Sequence, residues 1–515
     1  MASKLARGSI ITFFGNMIFR VGGYAYRFLM ATLLGPTAYG ILGLTLPFQG
    51  IFQVLSAGGL PPAIAKYVSE YNALNEEDLA NQTVYTALKI MVFLGLTMGF
   101  LMVFFVGPWL ANVLNKPEAV LAFQAVGLIT PFSVIVGAYR GAFQGVYKME
   151  YILYTRAIEQ LFMIIFAVIF IVIGLSAFGA VLGSVVGFAL SSLAAYIIFN
   201  KYMDKYIKPK SPDFKFSRKQ ELKLAGSLVK YAIPVTITAL AEMAIYSACT
   251  IIMGYFLTST LIGYYTAADP IGRMPLVISS SLATTILPAV SEAYALKDKN
   301  LLERYVNDSY RYGMVFVVPM CVGIALLSNA IMALVYFTDP SYVAGASSLA
   351  VLVIGMTFYS IFTISSSIVQ GIGNPRIPMY ILILGTIVTV GLGFYLIPIY
   401  GIVGGAFSIT FASFIMMIPI MFITFRITET KAPISFFAKI TVASLIMGIP
   451  LVFLPQNYIG IIIGLIICPI IYFILLVLFK TIEKEDFDMA RGFSHKLGPL
   501  DKYLQKFINF VERIN

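Results

Sequence analysis

The chain is a succession of long apolar runs separated by short polar stretches. Each run is long enough for an α-helix that crosses the hydrocarbon core of a bilayer, which takes about 20 residues. The predicted spans are 9–34, 40–63, 84–107, 119–139, 151–174, 177–199, 231–256, 263–290, 312–336, 346–370, 377–397, 402–425, 438–454 and 458–480. The pattern therefore predicts an all-α, polytopic membrane protein with about fourteen transmembrane helices.

The cations between the runs are unevenly distributed. Lysine and arginine gather in every second connection, for example at Lys66, Arg140 and Arg376 and along 201–230, whereas the alternate connections hold Lys116 and little else. Cytoplasmic loops carry such an excess. We therefore predict a multi-pass protein of the cell membrane with both termini in the cytoplasm. The formal net charge of +11 then reflects orientation and contact with membrane lipids, not nucleic-acid binding.

Composition narrows the possible chemistry. Of the 515 residues, 59% are hydrophobic and 11% charged; the three cysteines lie in apolar runs, and the one histidine, His495, lies in the tail. This pattern excludes a zinc site and a Ser-His-Asp triad, and no Gly-Lys pair is present to form a Walker A loop. We expect no cofactor. Energy for any transport would come from sodium, protons or the membrane potential.

Weak internal repeats divide the chain. Tyr39-Gly40 and Ile262-Gly263 each enter the second helix of a set of six, and the related pairs lie 223 to 226 residues apart. Six is an even number, so the repeat is parallel, and such repeats hold a substrate site at their interface near the midplane. The predicted segments are an N-terminal six-helix lobe at 1–200, a basic cytoplasmic linker at 201–230, a C-terminal six-helix lobe at 231–426, two additional transmembrane helices at 427–480 and a cytoplasmic amphipathic tail at 481–515.

Glycines at four-residue spacing predict close contacts between helices. Gly179, Gly183 and Gly187 form one such series, and Gly95 and Gly99 form another. Small residues at this spacing let two helix backbones approach each other in a membrane.

The first span carries two arginines, although an arginine at the centre of a membrane helix costs roughly 2.5–3.5 kcal/mol on insertion scales. Arg20 and Arg27 are seven positions apart and so lie about 20° apart around the helix, with Asn16 and Tyr24 beside them. This face must meet protein or water. Two interpretations remain open: structural ion pairs with acids on other helices, or a cationic cavity wall for an anionic substrate.

The other polar residues within spans lie on the first two helices of each predicted lobe. Gln49 and Gln53 are four apart on one helix face, as are Asp269 and Arg273, and Glu242 lies near the middle of its span. We expect Gln49, Gln53 and Arg273 to bind substrate together with the arginine face. We expect Glu242 and Asp269 to act in gating or ion coupling.

Several segments resemble polysaccharide flippases and lipid II flippases of the multidrug/oligosaccharidyl-lipid/polysaccharide exporter superfamily. The segments are FRVGGYA at 19–25, LGPTAYG at 34–40, PPAIAKYVSEY at 61–71, RGAFQG at 140–145 and ILPAVSE at 286–292. The resemblance implies two six-helix lobes in a V-shaped arrangement around a cavity, and alternating access. It also implies that arginines of the first and eighth helices line the cavity, which here means Arg20, with Arg27 near a second such position and Arg273 in the eighth helix. The two extra helices would hold the lipid tail.

The resemblance thus implies a flippase that carries a polyprenyl-(pyro)phosphate-linked oligosaccharide or cell-envelope precursor to the outer leaflet. The expected partners are this lipid-linked saccharide, membrane lipids and glycan-assembly enzymes. The alternatives are a cation-coupled multidrug exporter of the same superfamily, a lipid II flippase, and a membrane-embedded glycosyl transferase. The drug exporter would need a cavity dominated by acids, whereas the five mid-span charges here are three arginines and two acids.

Overall fold

The computed structural model describes residues 2–203, 205–207 and 216–482 together with Phe487, Arg491, Gln505 and Glu512, and it describes side chains from Gly22 onward except that of Tyr246. Most of the predicted tail, 481–515, and part of the linker therefore lie outside the described residues. Helices form nearly all of the described chain, and no strand occurs in it. The α-helices are α1 Ala2–Ala57, α2 Leu60–Ala73, α3 Glu77–Leu101, α4 Gly107–Val113, α5 Val120–Gly145, α6 Met149–Phe170, α7 Ser176–Tyr202, α8 Arg218–Phe256, α9 Ser259–Gly272, α10 Leu276–Ala295, α11 Lys299–Leu326, α12 Ser328–Val335, α13 Ala346–Gly371, α14 Arg376–Thr428, α15 Ile434–Phe453 and α16 Tyr458–Leu478.

Within the described residues, eleven stretches are long and apolar enough to cross a membrane. Three of them have 52, 54 and 53 residues, which is more than twice what a span needs. Each of the three is kinked at a glycine with a positive φ, where two helices merge: Gly35, Gly174 and Gly401. Each divides there into two spans, which gives fourteen and confirms the predicted all-α membrane fold.

The glycine series lie in tight helix contacts, as predicted. A Cβ atom at Gly183 would lie 2.5 Å from the backbone nitrogen of Ala167, and one at Gly187 would lie 2.6 Å from the carbonyl oxygen of Glu159. Residue numbers increase along α7 while those of the contacting α6 residues decrease, so these two helices are antiparallel. Gly99 of α3 likewise packs on the backbone of Gly127 in α5, where a Cβ atom would lie 2.7 Å from the carbonyl oxygen.

Two spans are broken in the middle. The span that starts after Gly35 stops at Gly58 and Gly59, which have φ values of 56° and 63° and favour glycine for that reason, and it resumes as α2. The span of α9 and α10 is interrupted after Gly272 by a turn at 273–275, which ends with Pro275. Broken helices of this kind are common near transporter sites.

Packing groups the chain into two units: residues 1–267 with 390–405, and residues 268–389 with 406–515. The predicted division at 201–230 stays a prediction. Within the first unit, contacts between connections agree with the predicted alternation of sides. The Asn72 side-chain amide donates to the Tyr206 carbonyl on one predicted side, at 3.0 Å, and the Ser259 hydroxyl bonds Glu118 on the other, at 2.9 Å.

Candidate functional site

One face of the first half of α1 is fixed against its own unit. A Cβ atom at Gly22 would lie 2.4 Å from the amide nitrogen of Gln160 on α6, so the α1 backbone lies directly on that side chain. One turn later, the Tyr26 hydroxyl hydrogen-bonds Ser184 on α7. These two contacts define the packed side of the helix.

Arg27 lies away from that packed side, about 100° to 140° around the helix. A Cβ atom at neighbouring Gly23 would meet no atom within 4 Å, so this side of α1 borders open space. Arg27 and Tyr24 are half-buried. The side chains of Asn16 and Arg20 lie outside the described residues, and their predicted role stays a prediction.

The second half of α1 and the start of α2 pack along α8. The close contacts pair Leu44 with Gly254, Gly50 with Met243, and Gly59 with Ala232. Residue numbers rise along α1 and α2 while those of their contact partners fall along α8. The two segments are therefore antiparallel over the whole span. Glycine permits this close packing because it has no Cβ atom. A Cβ atom at Gly50 would lie only 1.9 Å from the Met243 methyl carbon, the tightest of the three approaches.

This packing places three of the predicted site residues at similar heights along the two packed helices. Gln49 precedes Gly50 and Glu242 precedes Met243, and Gln53 follows one turn after Gln49. The Gln53 amide nitrogen is buried without a hydrogen-bond partner in the described part of the chain. The Glu242 side chain is exposed on the surface of the protein. It lies in the middle of an apolar helix and forms no ion pair with any described side chain. A polar side chain that lacks a hydrogen bond or an ion pair is energetically costly within a membrane. Such side chains are typical of substrate and ion pathways.

Asp269 and Arg273 form an ion pair in the second unit. The Arg273 Nε atom lies 2.6 Å from Asp269 Oδ1, with side chains 17% and 19% exposed. Asp269 lies in the last turn of α9 and Arg273 begins the break before α10, so the pair spans the interruption in this helix. Much of the Arg273 charge is therefore already compensated by a carboxylate.

A helix crossing with internal symmetry lies at the start of the two predicted second spans. The Thr37 and Thr260 hydroxyls are 2.8 Å apart. A Cβ atom at Gly40 would lie 1.8 Å from the carbonyl oxygen of Ser259, and one at Gly263 would lie 1.9 Å from that of Pro36.

The pairing at this crossing is reciprocal. Residue 37 contacts 260, residue 40 contacts 259, and residue 263 contacts 36. Adding 223 to positions 36, 37 and 40 gives 259, 260 and 263, so the contacts are equivalent in the two copies of the repeat. One turn further on, Gly43 packs against Thr266 at the same offset. The offset is that of the sequence repeat, so an approximate two-fold axis passes through this crossing, which lies within the first unit.

Sequence reasoning missed one polar cluster. The Arg140 guanidinium donates to Glu159 at 2.7 Å, to Thr155 at 3.0 Å and to Ser191 at 3.2 Å, and the Ser191 hydroxyl donates to the Thr155 carbonyl. The cluster joins α5, α6 and α7. The cation pattern groups Arg140 with the loop cations that set orientation, but its position five residues before the end of α5 is the signal for a partner within the bundle.

Comparison with known proteins agrees with this architecture. Residues 5–294 match the family described as polysaccharide biosynthesis protein, which is more than half of the 515 residues. Residues 234–395 match the family described as MatE. A solved structure of the lipid II flippase MurJ in an inward closed conformation has a TM-score of 0.74 and 19% identity, covering 92% of this chain and 98% of that one.

Sequence relatives are membrane proteins and flippases. An uncharacterized membrane protein of Methanocaldococcus jannaschii is 26% identical over 83% of this chain and 99% of its own. The lipid II flippase MurJ of Bacillus subtilis is 22% identical over 78% of each chain. A probable low-salt glycan biosynthesis flippase of Haloferax volcanii is 27% identical over 37% of this chain and 40% of its own. These relatives set aside the membrane-embedded glycosyl transferase. The chain belongs to the polysaccharide biosynthesis protein family, within the flippases of the multidrug/oligosaccharidyl-lipid/polysaccharide exporter superfamily.

Proposed function

We propose that this transporter flips a polyprenyl-(pyro)phosphate-linked oligosaccharide, or a similar cell-envelope precursor, from the inner to the outer leaflet by alternating access. Family membership supports a flippase, and two relatives bear the names of flippases for lipid II and for glycan biosynthesis. The substrate class and the direction are the proposal.

The observation that carries the proposal is the orientation of Arg27. This arginine lies on the side of α1 that borders open space, about 100° to 140° around the helix from the contacts with Gln160 and Ser184. A guanidinium presents a planar fork of donors that matches phosphate oxygens in two-point contacts. Arg20 is on the same helix face, so two forks would be available to a pyrophosphate.

The acids complete this mechanism. Asp269 would hold Arg273 while the carrier is empty, and a substrate phosphate would compete for the same guanidinium. Glu242 lies in the middle of its span without a described partner, so it can take up a proton or a sodium ion when the empty carrier returns. The membrane potential offers a second source of energy, because moving one negative charge outward from a negative interior gains about 2.3 kcal/mol per 100 mV.

The crossing at Gly40 and Gly263 would close the outer side. Positive loops predict that the start of the second span faces outward, and the backbone-to-backbone contact there leaves no room for a saccharide. Alternating access then requires this crossing to separate while the inner side closes.

A cation-coupled drug exporter is the competing function, because residues 234–395 match the MatE family. Purified protein in vesicles tests the two. We expect it to move a fluorescent polyprenyl-pyrophosphate disaccharide between leaflets and to leave ethidium behind. Ethidium accumulation without movement of the disaccharide lipid would overturn the proposal in favour of the drug exporter.

A further inference from the structure

A shallow cavity of about 580 Å³, open to the surface, lies between α2 and the beginning of α8, within the first unit. Its lining residues are Tyr67, Ser227, Lys230, Tyr231, Pro234 and Val235. The α8 residues recur at three- and four-residue spacing, so they form one face of that helix. The volume is in the range of small-ligand sites, about 300–1,000 Å³. The positive-inside pattern assigns this end of both helices to the cytoplasmic side.

The cavity wall contains two tyrosine rings. The Tyr67 and Tyr231 ring centroids are 6.5 Å apart and nearly perpendicular, and Tyr67 is stacked on Tyr71 at 6.1 Å. The stacking fixes the orientation of the Tyr67 ring. A tyrosine offers an apolar face and a polar hydroxyl, and this is the combination that a sugar ring, with its C–H faces and hydroxyl edges, requires.

Two lysines supply positive charge. The Lys66 ammonium lies 4.3 Å from the Tyr67 ring centre and 5.4 Å from that of Tyr231, and it also contacts Glu70 at 3.5 Å. Lys230 is exposed at the cavity and has no ion pair among the described residues. Lysine binds phosphate as a point charge. The net charge of this group is positive, since one acid faces two ammonium groups.

We propose that this cavity is a docking site for the phosphate-saccharide head group of the lipid-linked substrate at the inner membrane face, before the substrate reaches the arginine face of α1. Lys230 binds the phosphate, and the exposed Tyr231 ring packs against the saccharide, while the Tyr67 ring supports Tyr231 through their T-shaped contact. Pro234 and Val235 continue the cavity wall toward the apolar part of α8, where the lipid chain would lie. This inference rests on the proposed function and adds a second binding site to it.

The binding test uses purified full-length protein and two soluble probes, farnesyl pyrophosphate that carries a disaccharide and farnesyl pyrophosphate alone. Tyr231→Ala should weaken binding of the disaccharide probe about tenfold and leave the sugar-free probe nearly unchanged, while Tyr231→Phe keeps the ring and binds both normally. Lys230→Ala should weaken both probes. Tyr380→Ala and Lys431→Ala are controls, because both residues are exposed on the same predicted side and neither lines the cavity.

Three results would overturn the inference. The first is equal binding of the disaccharide probe by Tyr231→Ala and wild type. The second is loss of the sugar-free probe to the same extent in Tyr231→Ala, which would leave no saccharide contact. The third is full competition by phosphatidylglycerol vesicles, which would identify the site as one for ordinary anionic lipid.

A flipping assay separates this inference from the proposed function. Cavity variants should raise the substrate concentration for half-maximal flipping about tenfold with little change in the maximal rate. If wild type flips the disaccharide lipid and the cavity variants match it at all concentrations, only the docking site is wrong. If wild type does not flip it at all, the proposed function fails.

Discussion

Gly40→Ala should weaken the closed outer crossing. The added Cβ atom would lie 1.8 Å from the Ser259 carbonyl oxygen. The backbone fixes the positions of both atoms, so no side-chain rotation can relieve the contact. Atoms of this kind need at least 3.0 Å, so the two helices must separate locally by about 1.2 Å, the difference of these two distances. Overpacking of a well-packed contact costs about 1–3 kcal/mol, which shifts a two-state population about 5- to 150-fold.

Cysteine labelling measures this shift. Thr266→Cys is the reporter, because Thr266 is only 8% exposed and packs against Gly43, one turn below the crossing. A membrane-impermeant maleimide added outside should react with it slowly in the parent protein and at least fivefold faster with Gly40→Ala. Gly391→Ala is the matched control, since a Cβ atom there meets nothing within 4 Å, and its labelling rate should not change.

Two outcomes would refute the reasoning about the crossing. If Gly40→Ala accumulates normally and leaves the labelling rate of the Thr266→Cys reporter unchanged, the contact does not control access. If Gly40→Ala fails to accumulate while Gly391→Ala accumulates normally, the crossing is required for folding and does not open.

Three further predictions concern stability, coupling and topology. Arg140→Ala should lower the free energy of unfolding by about 3 kcal/mol, because it breaks the ion pair with Glu159 and the hydrogen bonds to Thr155 and Ser191 in a low-dielectric setting; equal melting temperatures of the variant and wild type in detergent would contradict this. Glu242→Gln should have a modest effect on flipping if the membrane potential drives transport, and collapsing the potential should slow it; a block by Glu242→Gln with no response to the potential would instead show ion exchange at this acid. A cysteine at Asn374 should be labelled only from inside and one at Lys116 only from outside, and the reverse pattern would invalidate the orientation.

The spans could be predicted from the sequence because bilayer thickness fixes the length of an apolar run. The boundaries near Gly35, Gly174 and Gly401 also followed, since a helix twice as long as the membrane must turn and glycine permits the positive φ that the turn needs. The contacts of Gly183 and Gly187 were predictable for a related reason. Small residues on one helix face have a function only if another backbone lies against that face.

Charge partners were less predictable, because a pair depends on contacts distant in sequence or on a local break. The spacing of Asp269 and Arg273 indicated a shared helix face, but their ion pair at the interruption of the helix required the structure. The cation pattern groups Arg140 with the loops, although its partner Glu159 lies on another helix. The crossing at Gly40 shows the same limit, since the repeat gave the offset of 223 residues but not that the two copies touch.

Flipping by Arg27 variants tests the central claim most directly. Proteoliposomes would contain wild type, Arg27→Ala, Arg27→Lys or the control Arg376→Ala, which removes an exposed arginine outside the proposed site. We predict that Arg27→Ala loses at least nine-tenths of the flipping rate for a polyprenyl-pyrophosphate disaccharide, that Arg27→Lys keeps part of it because a point charge replaces the fork, and that Arg376→Ala matches wild type. Wild-type rates for Arg27→Ala, in protein that accumulates normally, would contradict the claim that this face of α1 binds the substrate phosphates.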